Sequence, residues 1–147
     1  MKVRRRVHTS ILLAHPPEDV WRVLADFERY PEWNPLVLRS EGEPRLGARI
    51  RITISRPDKP GSVGSMNVRI VEWEESRALA WRGTLWPVFQ GRHWFRLTPE
   101  AGGTRLDHGE DMGGLYPLLL GERRIARFAP HYQAVNEALA KRLAAGF

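Results

Sequence analysis

Apolar and polar residues alternate with period two through the middle of the chain, and apolar residues recur at helical spacing near both ends. The first stretch, Val7–Ala14, carries Ile11, Leu12 and Leu13 and stops at Pro16-Pro17, which predicts a strand. Pro17-Glu18-Asp19 then suits a helix start, because proline tolerates the first turn and acids favour the positive end of the dipole. The predicted helix, Glu18–Phe27, sets Val20, Trp21, Leu24 and Phe27 on one face, with Trp21 buried. In Tyr30-Pro31-Glu32-Trp33-Asn34-Pro35 two prolines stand too close for a regular helix, which predicts a turn or a separate helical turn.

Between residues 36 and 112 five alternating runs follow one another. Ile50, Ile52 and Ile54 alternate with Arg49, Arg51 and Thr53. Met66, Val68 and Ile70, then Leu79 and Trp81, then His93, Phe95 and Leu97, and finally Leu106, His108 and Glu110 continue the pattern. Turn chemistry separates the runs at Pro57–Gly64, Glu75-Ser76-Arg77, Trp86–Gly91 and Gly102-Gly103. These are antiparallel strands with one covered face and one wet face, and the arginines fall on the wet one. Ile125, Phe128, Tyr132, Val135, Leu139 and Leu143 predict a closing amphipathic helix, which Pro130 kinks or divides. The predicted class is α+β. A curved antiparallel sheet of about seven strands wraps a long C-terminal helix, with two short helices between the first two strands.

Composition narrows the picture. At 147 residues the chain is one domain's worth, read as a single domain over 1–147. With no cysteine, disulfides, thiolate metal sites and cysteine nucleophiles are excluded, and a reducing, cytoplasmic setting is expected. Neither a signal peptide nor a transmembrane segment is read. The net charge is +6, and the basic residues are spread out apart from Arg4-Arg5-Arg6, so no specific nucleic acid is expected as a partner.

The segment from Val20 to Pro35, with Val20-Trp21, Val23-Leu24, Asp26-Phe27, Tyr30-Pro31 and Trp33-Asn34-Pro35, resembles the START/Bet v1-like (SRPBCC) superfamily. Its pattern V-W-x-V-L-x-D-F-x-x-Y-P-x-W-N-P is that of the polyketide cyclase/dehydrase-like branch. Leu79–Gly83, Gly91–Pro99 and Val135–Leu139 are similar to the same group, so the resemblance spans the chain. It implies a helix-grip fold with a pocket between the concave sheet face and the long helix. The motif itself is structural: Trp33 is read as covering an end of the sheet, and Pro31 and Pro35 as fixing the turn.

Strand parity names the side chains that would line such a pocket: Ile52, Ile54, Met66, Val68, Trp81, His93, Phe95, His108, Glu110 and Met112, joined by Phe128 and Tyr132 from the helix. The list is mostly apolar, which favours binding of a lipid, polyketide-like or aromatic molecule. His93, His108 and Glu110 are the exceptions. They form either a satisfied polar cluster or, in the alternative of a cyclase/dehydratase-type enzyme, its acid/base groups. They could also form a three-ligand metal set, but no H-E-x-x-H motif accompanies them and no metal is assigned. No G-x-S-x-G elbow or phosphate-cradling loop is present, and no cofactor is expected. Gly113-Gly114 is read as a hinge for a lip over the pocket entrance. A further alternative is an interaction protein acting through the arginine-rich outer face. A monomer or homodimer is expected.

Overall fold

The computed structural model describes residues 2–147. Its seven strands are β1 (Arg5–Leu13), β2 (Val37–Glu41), β3 (Arg49–Ser55), β4 (Val63–Glu74), β5 (Ala78–Leu85), β6 (Phe89–Glu100) and β7 (Gly103–Gly113). They form one antiparallel sheet in the order β1-β7-β6-β5-β4-β3-β2. Helix α1 (Pro17–Leu24) and a 3-10 turn (Phe27–Glu32) separate β1 from β2, while α2 (Leu115–Leu120), α3 (Glu122–Ala126) and α4 (Ala129–Ala144) follow β7. This is the helix-grip arrangement, with α4 held in the hollow of the sheet.

The alternation in the strands is obeyed. Ile50, Ile52, Val68, Ile70, Leu79, Trp81, Phe95, Leu97 and Leu106 are buried on the concave face. Tyr132, Val135, Leu139 and Leu143 of α4 complete the core. Phe27 packs edge-on against Trp81 at 5.5 Å, and Trp21 against Trp73 at 5.1 Å. Such aromatic pairs contribute about 0.5–1.5 kcal/mol beyond their area. Trp33 meets Tyr30 edge-on at 5.3 Å, half-buried against the core.

One local expectation needs correction. The first helix ends at Leu24, before Phe27, because the buried Tyr30 hydroxyl donates to the Leu24 carbonyl at 2.5 Å and the chain re-enters as the 3-10 turn. Leu12 points outward, being 71% exposed, since parity gives the inner face of β1 to Ile11 and Leu13. The closing stretch is divided as expected, into α3 and α4, with Pro130 in the first turn of α4, where its missing N–H costs nothing.

On the convex face Arg49 lies opposite Arg69, Arg69 opposite Arg82, and Arg82 opposite Arg92. Arg69 spends one guanidinium N–H on the Gly47 carbonyl, and Arg92 pairs with Glu72 at 2.9 Å. Like charges directly opposite on adjacent strands destabilise a sheet. Arg82→Glu is therefore expected to raise stability by about 0.5–1 kcal/mol at low salt, with a smaller gain at 0.5 M salt. Denaturant midpoints at the two salt concentrations check this, and a loss of stability at low salt would contradict it.

Candidate functional site

One end of the hollow is packed solid and the other is open. Along β6 the inward positions run Leu97, Phe95, His93, Gly91 and Phe89, and along α4 they run Leu143, Leu139, Asn136 and Tyr132. The first members of each series belong to the core, while Phe89, Gly91, His93 and Tyr132 border a cavity of about 440 Å³. That lies in the range of small-molecule sites, about 300–1,000 Å³.

Ten of the twelve residues expected at the pocket stand on this wall: Ile52, Ile54, Met66, Val68, Trp81, His93, Glu110, Met112, Phe128 and Tyr132. Phe95 and His108 do not, which corrects the expectation for both. They point inward, but α4 has closed on the sheet at their level. Phe95 is stacked on the His108 ring at 4.2 Å, and His108 is fully buried behind His93.

His93, His108 and Glu110 do converge, in a line with a direction. His93 Nδ1 is 3.1 Å from Glu110 Oε1, and His93 Nε2 is 2.7 Å from His108 Nε2. His108 Nδ1 is 2.9 Å from Asn136 Oδ1, and Asn136 Nδ2 donates to Thr9 Oγ1 at 2.8 Å. Thr9 Oγ1–H in turn donates to the His108 carbonyl at 2.8 Å. A hydroxyl has one proton, so Thr9 must accept from the Asn136 amide, and this orients the amide. Asn136 Oδ1 then accepts from His108 Nδ1–H. Burial, followed by the charge of His93, pushes the His108 imidazole well below its ordinary pKa, which keeps it neutral with a bare Nε2. His93 must therefore donate its Nε2–H inward to His108.

His93 also lies flat on Trp81, with ring centres 4.5 Å apart and planes 2° apart. Tyr132 donates its hydroxyl to Glu110 Oε1 at 3.2 Å, and burial together with the Glu110 charge raises the Tyr132 phenol well above its usual value. The phenol therefore keeps its proton. Among the described residues no three His, Asp or Glu side chains stand in a metal-binding arrangement.

Sequence reasoning missed several residues of this region. Asn136 lies on the apolar stripe of α4 between Tyr132 and Leu139, and a polar residue at that spacing was a readable signal. Gly83 and Gly91 are register partners on β5 and β6, both inward and both on the cavity wall. Arg56, Asp58 and Tyr116 border the entrance, where Tyr116 donates to Asp58 at 3.0 Å and joins α2 to the β3–β4 turn. The Arg56 guanidinium beside Asp58 holds its carboxyl below the usual carboxylate value. The expected lip after β7 is fastened on its other side as well. The Leu115 and Tyr116 amides donate to the carbonyls of Pro87 and Val88 at 3.0 and 2.8 Å.

Comparison with known proteins follows this geometry. No functionally curated protein matches the chain. A START superfamily protein from Mycobacterium smegmatis has a similar structure, with a TM-score of 0.79 at 18% identity over 98% of this chain and all of the other (100%). A protein from Mesorhizobium loti gives 0.72 at 23% identity, over 95% of this chain and 97% of the other. A protein in the dynemicin biosynthetic locus gives 0.73 at 17%, over 97% of this chain and 48% of the other. At these identities the likeness is one of fold. The family described as polyketide cyclase / dehydrase and lipid transport matches residues 4–144, and the chain belongs to that family.

Proposed function

We propose that this protein binds a small hydrophobic molecule in the cavity between the sheet and α4. One observation carries the reading: the hollow stays open where Ile52, Ile54, Met66, Val68, Trp81, Met112 and Phe128 could have been packed together, and these apolar side chains dominate its wall. The family description, which joins cyclase/dehydrase activity and lipid transport, supports a lipid or polyketide-like guest. A fold neighbour in the dynemicin biosynthetic locus points the same way. A second reading, a cyclase/dehydratase-type enzyme, is favoured by the Glu110 carboxyl on the same wall, backed by His93.

Titration with the fluorescent probe N-phenyl-1-naphthylamine tests the binding reading. Saturable one-to-one binding is expected. Gly83→Phe should weaken it at least tenfold, because the new ring enters the cavity and only the flexible end of Met66 has to yield. A thermal melt of the variant checks that the fold is kept. Wild-type protein that takes up no probe would refute the proposal, as would a folded Gly83→Phe protein that binds as well as wild type.

A further inference from the structure

The hydrogen-bond directions at the inner end of the cavity define what a guest can present there. Asn136 and the neutral His108 oblige His93 to donate inward from Nε2. The remaining contact, His93 Nδ1 to Glu110 Oε1, then contains a single proton. On His93 it makes an imidazolium–carboxylate pair. On Glu110 Oε1 it makes a neutral imidazole–carboxylic acid pair. In both forms the second oxygen, Oε2, can only accept. Among the described residues Oε2 has no hydrogen-bond partner, while Oε1 takes both His93 and Tyr132. Oε2 stands over Gly91 beside the Phe89 ring, and a Cβ at that position would come within 3.0 Å of Oε2 and 2.7 Å of Phe89 Cζ; Glu110 itself borders the cavity, with its side chain 16% exposed.

Among the described residues that hold Glu110, no donor is left over. Both nitrogens of His93 are committed, and the Tyr132 hydroxyl is spent on Glu110. A guest carbonyl, carboxylate or phosphate would find no donor on Glu110, His93 or Tyr132. An O–H would meet a free carboxyl oxygen.

We propose that Glu110 Oε2 is a head-group anchor and that the guest is an apolar molecule ending in a phenol or an alcohol. This rests on the cavity being a ligand site. It assigns direct contact to Glu110 alone, with His93 as a positioning residue and His108 as the buried support behind it.

Displacement of N-phenyl-1-naphthylamine by 1-naphthol and by 1-methoxynaphthalene is the test. The two differ in the hydroxyl proton, and methylation makes the ether the more hydrophobic of the pair. Wild-type protein is expected to bind 1-naphthol at least tenfold tighter, the scale of one hydrogen bond to a charged group. In Glu110→Gln the preference should fall to about threefold or less, with the affinity for 1-methoxynaphthalene unchanged. Circular dichroism and a melt confirm that the variant is folded. Equal affinities for the two compounds in wild type would overturn the anchor and leave the pocket standing. A preference that survives Glu110→Gln would overturn the assignment to Glu110. Failure of every probe to bind would remove the pocket and the anchor together.

Discussion

Replacing Gly109 with alanine is expected to destabilise the protein by about 3 kcal/mol, the upper end for overpacking. Gly109 lies in β7 between His8 of β1 and Trp94 of β6. A Cβ there would fall well inside contact with the Val7 carbonyl oxygen and 3.0 Å from Trp94 Cζ2. The obstruction is backbone, so no rotamer change relieves it; β1 would have to move away from β7. On the outer face the rings of His8 and Trp94, 5.5 Å apart, cover the bare position. The denaturant midpoint should fall with the m-value unchanged. A loss below about 0.5 kcal/mol, the range of ordinary surface substitutions, would mean that the β1 edge yields freely.

The second large effect belongs to the buried end of the polar line. Asn136→Ala takes from the fully buried His108 imidazole its side-chain acceptor, leaving the Tyr132 backbone carbonyl, and removes the donor to Thr9. An orphaned buried group costs about 1–3 kcal/mol, and two severed bonds with the Tyr132 carbonyl still in reach place this variant at about 2 kcal/mol. His108 also makes stability depend on pH. Its folded pKa is depressed, so the unfolded chain binds more protons once the pH drops below its unfolded value, about 6.5. The contribution is complete above that value and is lost as the pH falls towards the folded pKa. The slope is up to about 1.4 kcal/mol per pH unit. Urea unfolding between pH 7.5 and 5, compared with His108→Gln, isolates it, since the other four of the five histidines remain in both proteins. Parallel profiles for the two proteins would show that His108 does not carry the dependence.

Period two made most strands and their buried faces readable, because inward side chains such as Ile50, Ile52, Val68, Ile70, Phe95, Leu97 and Leu106 are apolar and have polar neighbours. Parity, however, says which way a side chain points and not what waits there. His93 and His108 share parity with Phe95, yet only His93 reaches open space, because the height at which α4 meets the sheet is a tertiary fact. The end of α1 was hidden for the same reason: the Tyr30 hydroxyl that takes the Leu24 carbonyl lies six residues on. Helix α2 gave no pattern, since Leu115, Leu118 and Leu119 are 54, 41 and 82% exposed and only Pro117 is buried. Gly83 and Gly91 shape the cavity by having no side chain, which a search for lining side chains passes over.

Those two glycines differ in what they leave adjustable. At position 91 a larger residue would press on the Phe89 ring and on Glu110 Oε2, so bulk there disturbs the polar end. At position 83 it meets the tip of a methionine, which can swing away. Under the proposed binding reading, guest length and guest chemistry are governed from separate places. A lineage carrying this scaffold could retool for shorter or longer molecules through changes at one codon, with the grip on their polar terminus preserved.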